Sequence, residues 1–111
     1  AFEIPYMANR GLDSKYSDFD KPDCIITLGC VIKGETAHFE YISNSCASTL
    51  SQLTLNSAGI PIMFGVITAY TREQALKRSE VNFGSQENKN IGYNVANAAI
   101  EILSSKEKHR L

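Results

Sequence analysis

Residues 24–69, CIITLGCVIKGETAHFEYISNSCASTLSQLTLNSAGIPIMFGVITA, decide how this chain folds. The two ends of the stretch, CIITLGCVI (24–32) and IPIMFGVITA (60–69), are short apolar runs rich in β-branched residues, which suit a pleated surface. Neither run alternates apolar with polar residues. Such continuity predicts strands covered on both faces, as in a parallel sheet flanked by helices. Pro61 stands at the entrance of the second run, where a strand tolerates it. Between the runs, Ile42, Cys46, Leu50 and Leu53 fall four, four and three residues apart, one helical stripe that Gly59 closes. Strand, helix and strand make a βαβ unit, whose crossover is expected to be right-handed.

Outward from this unit the chain continues as helices. Upstream, PYMANRG predicts a short helix stopped by Gly11. Downstream, Thr71 and Gln74 stand in capping-box register, so a helix starts in TREQALKRS. The polar SEVNFGSQENKN reads as a loop, and Val95, Ala98, Ala99, Ile102 and Leu103 mark a last amphipathic helix. The charged end, residues 104–111, is expected to fray. Two strands alone leave two open edges and little core, so the predicted sheet needs more strands. The abrupt AFEIPYM opening favours residues ahead of Ala1 over a second chain as their source.

The bulk numbers bound the function. The chain has 111 residues, enough for one domain and too few for two. It is 43% hydrophobic and 21% charged with net charge -1, which offers no basic face for nucleic acid or anionic lipid. No apolar run approaches the roughly 18 residues of a membrane span. Three cysteines, Cys24, Cys30 and Cys46, lack C-x-x-C spacing and read as buried free thiols in a reducing compartment. With His38 and His109 far apart, no metal site is expected.

Ligands of parallel α/β sheets bind beyond the carboxyl ends of the strands. KGETAH (33–38) lies at such an end. Gly34 allows a sharp turn or a close approach, and the amides of Glu35 and Thr36 ahead of a helix favour an anion, with the Thr36 hydroxyl as a further donor. The same Gly-x-Thr also suits a plain turn and cap. His38 reads as a proton shuttle or as a solvent-facing first-turn histidine. Arg78 and Lys89 are the cations best placed to complete an anion site, against the alternative of solvated charges. Phe2 and Phe64 read by default as packing residues.

AFEIP, ITLGCVIKGETAHFEYISN, IPIMFGVIT, EQALKR and NK ahead of an Ala-rich helix resemble the lumazine synthase family, in order and nearly end to end. The resemblance implies a flavodoxin-like three-layer α/β/α fold with a parallel sheet, its first strand, helix and strand missing from this chain, so that residues 1–111 form one incomplete domain. It implies a transferase of riboflavin biosynthesis that condenses 5-amino-6-ribitylaminouracil with 3,4-dihydroxy-2-butanone 4-phosphate. The products are 6,7-dimethyl-8-ribityllumazine, phosphate and water, with no cofactor or metal. Carried over by position, Gly34, Glu35 and Thr36 match the phosphate loop, Arg78 its paired arginine and His38 the proton-moving histidine. Phe2 and Glu3 match the segment that holds the pyrimidine and the ribityl hydroxyls, and Val31 and Ile32 match backbone contacts to the ring. Phe64 and Lys89 match residues supplied by a neighbouring subunit.

The family's assembly is a pentamer with sites between subunits, in some members packed into a 60-subunit shell. The resemblance implies a cytoplasmic location, or a plastid one if a transit peptide precedes. SEVNFGSQENKN is longer than in many bacterial members, which leans towards free pentamers, and Asn90 and Ile91 intervene before Gly92. Besides an inactive fragment, expected if the first strand, helix and strand are absent from the protein, two competing readings are a non-catalytic flavin- or lumazine-binding or shell-forming homologue, and an unrelated flavodoxin-like phosphate-binding module. Retention of His38, Arg78 and Lys89 together argues against the first, and the specific GETAHFEY block argues against the second.

Overall fold

Two neighbouring strands, β1 (Ile25–Ile32) and β2 (Ile62–Ala69), pair in parallel from Ile25↔Ile62 to Ile32↔Ala69. The computed structural model describes residues 1–13, 21–81 and 89–109. Around the strands lie α1 (Ile4–Leu12), α2 (His38–Leu55), α3 (Arg72–Ser79) and α4 (Ile91–His109). Side chains of register partners point to the same side of a parallel pair. Ile25, Ile62 and Val66 pack on one side against Ala8 of α1 and Cys46 and Leu50 of α2. On the other side a β-carbon on Gly65 would lie 3.3 Å from the Val95 side chain of α4. The result is a three-layer α/β/α arrangement, as expected, with α1 and α2 on one face and α3 and α4 on the other.

The helical stripe holds. Cys46 and Leu50 are buried, while Ile42 and Leu53 are half-buried at the two ends of the stripe. α2 ends at Leu55 with Asn56 as its cap, ahead of Gly59. Gly59 instead takes φ 90° in the turn into β2, next to Ala58 at φ 55°. The Ser57 hydroxyl sits between the Thr54 and Ile60 carbonyls and ties the helix end to that turn. Pro61 accepts the Ile25 N–H at 2.9 Å, so its missing N–H costs no pairing.

Several expectations are corrected. Gly11 does not stop α1, which continues to Leu12. A side chain there would meet Ile25 at 3.3 Å, so this glycine serves the close approach of helix to strand. The last helix extends through 104–109, where a frayed tail was expected, and Lys106 reaches the Gly59 carbonyl. Lysines and a histidine in its last turn suit the negative end of the helix dipole. Residues 82–88, most of the polar loop, and residues 110–111 lie outside the described part.

β2 is largely covered on both faces, but β1 is not. Ile26, Leu28 and Ile32 are 44%, 62% and 42% exposed, and all stand on one face of the strand. Cys30 shares that face and is exposed, so the buried-thiol expectation fails there. Cys46 is buried and Cys24 half-buried, and burial pushes both thiols up. Ile102, expected in the apolar stripe of α4, is also exposed.

The start of α3 follows the capping expectation in part. The Thr71 hydroxyl accepts the Gln74 N–H at 3.2 Å, but the Gln74 side chain accepts from the Tyr70 N–H at 2.9 Å, one residue earlier than a capping box places it. Thr71→Ala is expected to cost about 1 kcal/mol. A calorimetric scan then shows Tm lower by about 5 °C, and an unchanged Tm contradicts the cap.

Candidate functional site

Both strands end at the same edge of the sheet, and most residues singled out in the sequence gather there. Val31 and Ile32 are the last residues of β1, and the Lys33 N–H extends the pairing to the Ala69 carbonyl at 2.9 Å. The loop 33–37 follows and is exposed throughout. The Thr36 hydroxyl oxygen accepts the His38 N–H at 3.3 Å, which leaves its own proton free to donate elsewhere. Within the described residues the Gly34, Glu35 and Thr36 amides donate to no protein acceptor. Three such N–H groups ahead of α2, at the positive end of its dipole, can receive an anion. Gly34 does not use the left-handed region expected of a sharp turn; what it offers is room, with nothing within 4 Å of where a β-carbon would stand.

Beside this loop, at the end of β2, lies a cleft of about 400 Å³ lined by Thr68, Ala69, Tyr70, Gln74, Lys77, Arg78 and Lys89. Arg78 comes from the last turn of α3, which starts immediately beyond the strand. Lys89 is brought to it by Asn90, whose side-chain amide donates to the Glu80 carbonyl at 2.6 Å and whose oxygen accepts the Tyr93 N–H at 2.8 Å. Asn90 therefore joins the end of α3 to the start of α4, so Arg78 and Lys89 share one cleft of one chain, where the family resemblance has Lys89 supplied by a neighbouring subunit.

Tyr70 connects the two halves. Its ring lies 5.7 Å from the Lys33 ammonium and 6.1 Å from the Phe39 ring, the residue after His38, while the same tyrosine lines the cleft. Tyr70, Lys33 and Asn90 were not singled out as site residues in the sequence. Asn90 had a legible signal, an asparagine just ahead of a helical pattern; Tyr70 had none, because its role is contact between segments distant in sequence.

Three expected residues stand elsewhere. Glu3 lines a separate apolar hollow with Ile4, Met7 and residues 25–28 of β1. Its carboxyl is held below the usual carboxylate range, chiefly by its own backbone N–H and then by the Ala1 amino group. Phe2 is exposed beside it. Phe64 lines a groove with Leu50, Leu55 and Ile62, five residues or roughly 16 Å of strand away from Ala69. It cannot reach the cleft of its own chain. A depression of about 520 Å³ between Asp23, Gly59 and Lys106 opens at the opposite end of the strands, where sheets of this kind do not hold ligands. Among the described residues, no three His, Cys, Asp or Glu side chains gather in one place. No helix there is long and apolar enough to cross a membrane.

Residues 1–107 match the family model described as 6,7-dimethyl-8-ribityllumazine synthase. The chain belongs to this family. The match takes in every described helix and strand except the last two residues of α4, and it includes the loop, Arg78 and Lys89. Lumazine synthases are enzymes of riboflavin biosynthesis, and their α/β fold is the one described above.

Proposed function

We propose that this protein condenses 5-amino-6-ribitylaminouracil with 3,4-dihydroxy-2-butanone 4-phosphate to form 6,7-dimethyl-8-ribityllumazine, phosphate and water. The observation that carries this reading is the meeting of Arg78 and Lys89 in one cleft at the end of β2, with Tyr70 linking that cleft to Lys33 at the start of the loop that holds the open amides of Gly34, Glu35 and Thr36. A phosphate placed there is gripped by the arginine fork and the loop N–H groups. Anchoring the phosphate end holds the carbonyl carbon near the amine that attacks it. Both reactants are already reactive, so orientation supplies most of the acceleration.

The chemistry then asks for proton movements. The amine adds to the carbonyl and water leaves, and phosphate then departs as a double bond forms. The resulting enol becomes a second carbonyl, and the second amine closes the ring on that carbonyl with loss of a second water. His38 follows the loop directly and is the group assigned to carry protons between these atoms. It is exposed, so water can partly replace it. His38→Asn is expected to lower kcat by about tenfold, less than the roughly 10²–10⁴ usual for general acid–base groups, with KM for the phosphorylated substrate unchanged. A KM that rises in step with the fall in kcat contradicts the proton-transfer role.

In this reading Phe2 and Glu3 hold the pyrimidine and the ribityl hydroxyls, and self-association offers Phe64 to the site of a neighbouring copy. The uncovered apolar face of β1 supports assembly. Light scattering is expected to give five times the chain mass, and a monomer contradicts it. The deciding experiment for the function mixes the purified protein with both substrates and follows the green fluorescence of the lumazine product. Phosphate binding without fluorescence would overturn catalysis in favour of a non-catalytic, ligand-holding homologue.

A further inference from the structure

We propose that Lys77 is a third cationic contact for the anion in the cleft, beside Arg78 and Lys89; this rests on the reading of the cleft as a phosphate site. Lys77 and Arg78 are consecutive in the last turn of α3, and both line the cleft that Lys89 closes from the start of α4. The remaining polar groups there are the Thr68 hydroxyl, the Tyr70 phenol and the Gln74 amide. No carboxylate stands among the described lining residues, among which three cationic side chains share one space of about 400 Å³.

Like charges drawn together in this way repel one another, and an anion between them removes the repulsion. A phosphomonoester carries roughly -1.5 to -2 charges near neutral pH, more than one arginine neutralises. Lys89 supplies a second charge and Lys77 a third, which strengthens retention of a doubly charged phosphoryl group. The alternative role for Lys77 is to complement the negative end of the α3 dipole. That role affects the stability of the helix and leaves anion affinity unchanged, so the two are separable.

The test is calorimetric titration of the purified protein with inorganic phosphate at fixed ionic strength and neutral pH, with Tm recorded for each variant. Lys77→Gln is expected to weaken phosphate binding by about fivefold, the upper range for an exposed charge pair, and Lys77→Arg to restore it. Arg78→Gln weakens binding by about a hundredfold. If Lys77→Gln binds phosphate as tightly as the parent while Arg78→Gln does not, the proposal falls and the phosphate site stands. If neither substitution changes the affinity, or the parent binds no phosphate, the reading of the cleft falls and takes the proposal with it.

Discussion

Arg78→Gln is expected to lower kcat/KM for the phosphorylated substrate by about a hundredfold, or roughly 2.7 kcal/mol of transition-state stabilisation. Glutamine keeps much of the side-chain length and a hydrogen-bond donor but removes the charge and the second parallel N–H of the fork. Steady-state kinetics check it: with the butanone phosphate varied, the loss should fall mainly on KM, because the phosphate remains on the substrate through the first condensation steps. A non-phosphorylated butanone should react equally slowly with the parent and the variant. If Arg78→Gln depresses both substrates alike, the arginine supports α3 and does not grip the phosphate. The cap at Thr71 bears on the same measurement, since α3 carries Arg78 and fraying of its first turn loosens the cleft wall.

Gly65→Ala is expected to destabilise the protein by about 3 kcal/mol or more. A methyl at this position would stand 2.5 Å from the Thr27 carbonyl oxygen and 2.8 Å from the Leu28 side chain, with Val95 of α4 at 3.3 Å. The first of these is backbone of the paired strand, so no side-chain rotation relieves it; the strands must part or α4 must lift. Domains of this size hold only about 5–15 kcal/mol in total, so the loss is a large share of the stability. Denaturant unfolding read by circular dichroism should show a midpoint well below that of the parent. Gly34→Ala is the matched control, because nothing lies within 4 Å of that site, and its midpoint should stay close to the parent value. Equal midpoints for the two variants would contradict the close approach of β1 to Gly65.

Local chemistry explains which readings of the chain carried over into the structure. The β-branched runs became strands because side-chain shape acts within a few residues, and the stripe of Ile42, Cys46, Leu50 and Leu53 became one buried helical face for the same reason. Thr71 caps α3 because its hydroxyl needs only the third N–H ahead of it. Glycine roles carried over less well. Gly11, taken as a stop, is a contact point, and of the two readings of Gly34, a sharp turn or a close approach, the open space around it suits the second. A glycine's sequence neighbours do not say whether freedom of φ or absence of a side chain is what the position requires.

Burial was the least legible quantity. CIITLGCVI shows no alternation of apolar with polar residues, yet one face of β1 is covered and the other carries exposed Ile26, Leu28 and Ile32. Coverage depends on what packs opposite, and α3 and α4 lie mainly over β2. Among the site residues, the strand end and its loop could be placed from chain order, because ligands of parallel sheets sit beyond the carboxyl ends. The sequence alone thus settled the strands, the stripe, the cap and the family, all of which depend on short-range patterns or on blocks of residues in a fixed order. Only the tertiary structure decided that Lys89 joins Arg78 in one cleft through Asn90, that Tyr70 spans the two loops, and that Phe64 stands too far along β2 to serve its own chain. Those relations are distances across space between residues far apart in the chain, set by how the layers pack.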